Sequence, residues 1–103
     1  MARHVPVLIK EVIEGLQLKR GDTVVDCTLG DAGHAAAMLE ATSPDGLLVG
    51  IDADIEAMLR AKQHLYPYAD RVRFARENFV SLPEILAREQ ITGVDAILMD
   101  LGW

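Results

Sequence analysis

Short apolar runs alternate with helix-period segments along most of this chain, and that alternation limits the fold more than any single motif does. Thr23-Val24-Val25-Asp26-Cys27 reads as a strand, and Leu47 to Asp52 is an unbroken apolar run suited to a strand buried on both faces. Val72 to Arg76 alternates like a third strand, and Val94 to Asp100 reads as a fourth, again buried. Between them lie helix patterns: an alanine-rich segment from about His34 to Ala41, a second running from an Asp54 cap to about Leu65, and a third to about Gln90. Ser81-Leu82-Pro83-Glu84 has the form of a capping box that opens the third. Ahead of the first strand, Leu8, Val12 and Leu16, with Ile9 and Ile13, mark one apolar helical face, ended by Gly21-Asp22. Strands that alternate with helices make βαβ units and a parallel sheet, so the fold class is α/β.

In an open parallel sheet, ligands bind outside the carboxyl ends of the strands, at the point where the strand order reverses. The residues just after each strand are therefore the informative ones. The first strand ends at Asp26 and leads into a loop, Thr28 to Gly33, in which Gly30, Ala32 and Gly33 are small enough for close backbone approach to a ligand. His34 opens the helix that follows, whose first N–H groups lack intrahelical partners. After the second strand comes Asp52, a carboxylate able to accept from both hydroxyls of a ribose. After the third come Asn78 and Phe79, an amide for a purine edge and a ring for its face. After the fourth comes Asp100. Each residue alone has a structural reading: a turn for the glycines, core for Phe79, a small buried hydrophobe for Cys27, a helix start for His34. Asp54 already supplies the cap that Asp52 might otherwise provide. All four strand ends carry such a signal, and that joint pattern favours a ligand site.

Composition narrows the ligand. The 103 residues carry a net charge of −6, with acidic groups spread along the chain, which argues against an unaided grip on a phosphate backbone. Arg71, Arg73 and Arg76 form the nearest thing to a basic cluster and read as a solvated rim. A lone cysteine, Cys27, excludes an internal disulfide and points to a reducing cytoplasm. Three scattered histidines, His4, His34 and His64, make no metal site. No apolar run approaches the roughly 18 residues that a membrane span needs, and the first residues contain no secretory apolar core. The loop itself is ambiguous: Thr28-x-Gly30-x-x-Gly33 is a dinucleotide fingerprint with its first glycine replaced. Asp26 and Asp31 disfavour a pyrophosphate beside it and suit a cationic ligand better, so S-adenosylmethionine is preferred to NAD.

The blocks His4-x-Pro6-Val7-Leu8-x-Lys10-Glu11-Val12, Val25-Asp26-x-Thr28-Leu29-Gly30-x-x-Gly33-His34, Gly50-Ile51-Asp52-x-Asp54, Asn78-Phe79 and Asp95-x-Ile97-Leu98-x-Asp100-Leu101-Gly102 occur in that order. Together they resemble the RsmH (MraW) family, bacterial methyltransferases acting on N4 of a cytidine in small-subunit ribosomal RNA. The resemblance implies half of a Rossmann-like class I S-adenosylmethionine-dependent methyltransferase fold, with strand order 3-2-1-4. It implies donor-binding roles for Ala32, Gly33, His34, Asp52 and Phe79, and places Asp100 near both the methionine moiety and the reaction centre; Asp26 and Gly30 join the candidate donor-binding set from the reading of the loop itself. Where the family loop carries four consecutive glycines, this chain has Asp31 and Ala32 at two of them; Trp103 stands where a small aliphatic residue is usual. Family members are much longer, so the chain reads as a single truncated donor-binding domain, 1–103, with weak donor binding and no RNA methylation of its own. The alternative is a non-catalytic half-domain that self-associates through Val94–Leu101 as a homodimer across a two-fold axis.

Overall fold

The computed structural model describes residues 15–27, 29 and 32–99, the side chain of Ala32 excepted. Four parallel strands form one sheet in the order β3-β2-β1-β4: β1 (Thr23–Asp26), β2 (Leu47–Ile51), β3 (Val72–Ala75) and β4 (Ala96–Leu98). Three helices connect them: α1 (Ala32–Ala41), α2 (Ile55–His64) and α3 (Leu82–Arg88). The α/β class, the parallel pairing and the strand order are as expected. Register runs Asp26↔Gly50↔Phe74 across β1, β2 and β3, and Val25↔Ile97 from β1 to β4.

The period of two along each strand divides the core between the sheet faces. Val24, Leu48 and Val72 meet Ala35, Met38 and Leu39 of α1 and Met58 and Ala61 of α2 on one face. Val25, Val49, Ile51 and Ala75 meet Ile85 of α3 on the other. Leu16 and Leu18 pack on the first face; Gly15 and Leu16 are helical, and the rest of the expected opening helix lies outside the described residues. Gly21 makes the turn before β1 at φ +83°, a conformation that strains any side-chain-bearing residue.

Four local expectations need correction. The first concerns α1, which begins at Ala32, so Ala32 and Gly33 belong to its first turn and not to the loop. At α3, Ser81 makes no side-chain capping bond; a 3-10 turn, Phe79–Ser81, runs directly into the helix and already supplies its geometry. β4 is shorter than expected and is not buried on both faces: Ile97 and Met99 are 45% and 41% exposed. They stand on the α3 side of the sheet, where the described residues include no helix to cover β4.

The fourth correction is Arg71, which is no solvated rim residue. Its guanidinium donates to Leu39 O (2.9 Å), Gly46 O (3.1 Å) and Ser43 Oγ (3.2 Å), and it lies over the Tyr68 ring at 5.6 Å. It thereby closes the C-terminal end of α1, where the last carbonyls have no helical partners. Thr42 Oγ1 donates to Met38 O and Ser43 Oγ to Leu39 O at the same end. Tyr68 in turn donates its hydroxyl to Glu40 at 2.6 Å, and that carboxylate, ahead of burial, raises the phenol above its ordinary range. Arg73 and Arg76 are exposed as expected; Arg73 donates to Asp70 O and Val72 O at 3.3 Å each, both within three residues, and makes a loose ion pair with Glu89 at 3.7 Å.

Candidate functional site

Parallel pairing sets all four carboxyl ends of the strands along one edge of the sheet, and β1 and β4 flank the point where the order reverses. Asp26 ends β1 and is fully buried. Asp52 follows β2, held level with the end of β3 by its N–H bond to Ala75 O at 3.1 Å. Its Oδ1 accepts the Asp54 N–H at 2.8 Å, while Asp54 accepts the Glu56 N–H at 2.9 Å and caps α2. The two aspartates therefore divide the work: Asp54 starts the helix, and Asp52, folded back by one backbone bond, is left half-exposed at the edge.

Asn78 and Phe79 follow β3 on the same edge. Asn78 Oδ1 accepts the Val80 N–H at 3.1 Å, which commits its oxygen to the turn and leaves its amide hydrogens as the groups available for a ligand. Phe79 is 47% exposed, so it is not the core residue that a ring after a strand often is. Gly33 lies in the first turn of α1, and His34 beside it is buried. Gly30 and Asp100 lie outside the described residues, as do Thr28, Asp31, the His4–Val12 block and Trp103. Gly33, Asp52 and Phe79 thus share one edge, brought there from three different strand ends.

Cys27 follows Asp26 and donates its N–H to Leu98 O at 2.9 Å, tying β1 to β4. Burial, and next the Asp26 carboxylate, push its thiol above the ordinary value. The thiol therefore stays protonated at neutral pH. Any stability it lends is complete below the pKa of the unfolded thiol and is lost as pH rises through the folded one. We expect thiol-specific reagents to react with native chain along a pH profile displaced upward from that of the urea-unfolded chain, and the Asp26→Asn profile to move back down. Identical native and unfolded profiles would contradict this.

Two residues of this edge were not singled out by sequence reasoning. Leu29, one residue before Gly30, is fully buried, and its side chain lies against Gly50 of β2. A glycine inside an apolar strand is itself a signal of close approach, and that signal was there to be used at Gly50.

Comparison with solved proteins finds a similar architecture in methyltransferases. An SAM-dependent O-methyltransferase of Thermotoga maritima superposes with TM-score 0.68 at 20% identity, over 77% of this chain and 31% of that one. A protein-L-isoaspartate O-methyltransferase superposes with TM-score 0.61 at 24% identity, over 72% of this chain and 24% of that one. The fold is accordingly a Rossmann-like half-sheet. The model of the MraW methylase family matches residues 1–103, and the chain belongs to that family. Among curated relatives, the ribosomal RNA small subunit methyltransferase H of Symbiobacterium thermophilum is 42% identical over 99 residues, 96% of this chain and 31% of the relative. That of Geotalea uraniireducens is 46% identical over 99 residues, 96% of this chain and 32% of the relative. The chain therefore spans about a third of the length of these relatives.

Proposed function

We propose that this chain is the donor-binding front part of a ribosomal RNA methyltransferase acting on a cytosine N4, with S-adenosylmethionine as the methyl donor. The reading is supported by the position of Gly33, Asp52 and Phe79 after three strands whose carboxyl ends share one edge of the sheet, in a chain that the family model matches over residues 1–103. The side chains fit such a donor. A fully buried carboxylate at Asp26 and a half-exposed one at Asp52 suit a ligand with hydroxyls and positive charge, and they oppose a phosphate-bearing nucleotide. Asp52 holds the ribose hydroxyls, Phe79 covers the adenine, and Asn78 donates to its edge. Gly30, Ala32, Gly33 and His34 bring backbone close to the methionine part, and Asp26 keeps that end of the site anionic. When bound, the donor supplies an electrophilic methyl group on a sulfonium. Asp100 is the candidate catalytic group, accepting from the substrate amine as it gains charge. An RNA substrate sets the working protein in the cytoplasm. In this reading residues 1–103 form one domain that binds the donor weakly and does not methylate RNA by itself. Calorimetric titration with S-adenosylhomocysteine tests it: saturable binding supports the donor site, and no heat at millimolar ligand removes it.

The β4 edge favours a second reading, self-association into a homodimer. β4 is an edge strand of the described sheet, and Ile97 and Met99 expose apolar surface beside it. Pairing of two β4 edges about a two-fold axis would satisfy the edge and bring the side chains beside it in the two copies alongside one another. Light scattering after size exclusion is expected to give twice the chain mass at micromolar concentration, falling toward the monomer in Ile97→Lys. A monomer for the unmodified chain at that concentration rules the dimer out.

No helix among the described residues is long and apolar enough to cross a membrane, and no group of three or more His, Cys, Asp or Glu side chains there could hold a metal ion.

A further inference from the structure

We infer that Leu29 is a positioning residue for the donor site, acting as a plug seated on the bare backbone of Gly50. The inference rests on the donor-binding reading above. Leu29 is 1% exposed and belongs to the cluster formed by Val24, Leu48 and the buried side of α1. A Cβ placed on Gly50 would lie 2.8 Å from both Leu29 methyl carbons, closer than real contacts allow, and 3.0 Å from its Cγ, so the leucine would have to shift. Glycine at position 50 therefore makes the room that Leu29 fills.

The placement of this contact gives it a function. Gly50 is in register with Asp26 on one side and Phe74 on the other, and Asp52 follows two residues later on the same strand path. Leu29 lies in the short connection from Cys27, at the end of β1, to Ala32, where α1 begins. Leu29 cannot move along the sheet without leaving the core. One contact thus fixes the start of α1, with Gly33 and His34, against the strand that delivers Asp52. A ligand held by both sides needs that spacing kept to a fraction of an ångström. Neither residue needs to touch the ligand.

The test compares the unmodified chain with Gly50→Ala, Leu29→Val and the combined variant. Each is titrated with S-adenosylhomocysteine well below its unfolding midpoint. Amide hydrogen exchange is followed in the segment 27–34 without ligand. Gly50→Ala is expected to weaken binding about tenfold and to speed exchange in that segment beyond any general rise. Leu29→Val, added to Gly50→Ala, removes part of the clash and should restore most of both. A merely structural contact would lower the unfolding midpoint and leave affinity and local exchange alone; that result for Gly50→Ala overturns the inference. If Gly50→Ala does not fold, Leu29→Val alone decides, since unchanged affinity and exchange there overturn the inference equally. If the unmodified chain binds no S-adenosylhomocysteine, the donor reading fails by itself. The exchange measurement then still judges the plug: selective loss of protection in 27–34 supports it, and none sinks it.

Discussion

Asp52→Ala is expected to weaken S-adenosylhomocysteine binding by about 100-fold or more, the largest effect of any single substitution at the proposed site. A carboxylate that accepts from two ribose hydroxyls makes two charge-assisted hydrogen bonds, each worth roughly 1.5–3 kcal/mol. Nothing else among the described residues offers the ligand a half-exposed carboxylate at the end of β2, because Asp54 is committed to the α2 cap. Two controls separate binding from folding. Asp52→Asn keeps a side-chain oxygen for the Asp54 N–H, so it should preserve stability and still lose most of the affinity. Asp54→Ala removes the cap, should cost about 1 kcal/mol of stability, and should leave affinity nearly unchanged. Calorimetry with thermal unfolding on the same samples checks all three. Affinity retained within about threefold in Asp52→Ala would be incompatible with ribose recognition by this residue.

The largest expected effect on stability belongs to Arg71→Ala. The guanidinium makes three hydrogen bonds and lies against Tyr68, and its removal strips partners from the end of α1 at Leu39 and Gly46. A loss of about 2–4 kcal/mol follows, against the roughly 5–15 kcal/mol that folded domains possess. For a chain of this size the unfolding midpoint should fall by roughly 10 °C or more. Lysine cannot replace it, since a single ammonium cannot reach Leu39, Gly46 and Ser43 with the same planar fork. Arg73→Ala is the contrast: its ion pair with Glu89 is loose and exposed, so the change should stay within about 1 kcal/mol. Urea unfolding of the three variants measures the differences. A loss at Arg71 no larger than at Arg73 would refute the capping role.

The strands and their parallel class were legible in the sequence because apolar runs, turn residues and helix periods agree with one another along the chain, while the strand order followed from the family resemblance. Asp52, Asn78 and Phe79 were legible because a parallel sheet makes the position after each strand meaningful. What remained hidden has physical causes. Arg71 works through carbonyls 25 and 32 residues away, and no local pattern encodes such a bond. Burial of β4 was misjudged because an apolar run reports what a strand would tolerate, and exposure depends on what lies over it, as Ile97 and Met99 illustrate. Ser81 has the sequence of a capping box, yet the preceding 3-10 turn takes its place. Leu29 stands in a loop and Gly50 inside an apolar run, and no local pattern links the two. Only the register that brings the two together gives either a purpose.

The Arg71 clamp and the candidate ligand residues occupy opposite rims of the same sheet, one before β3 and one after β2, separated by strands of four or five residues. At about 3.3 Å per residue that is roughly 15 Å, beyond the distance at which substitutions usually couple. The Arg71 fastening thus stands apart from the chemistry, unlike the Leu29–Gly50 contact, which lies beside it. Losses in a doubly altered chain, Arg71→Ala with Asp52→Ala, should simply add. Sequence change at the chemical rim can then proceed without loosening the fastening, which leaves such a scaffold free to acquire new ligands.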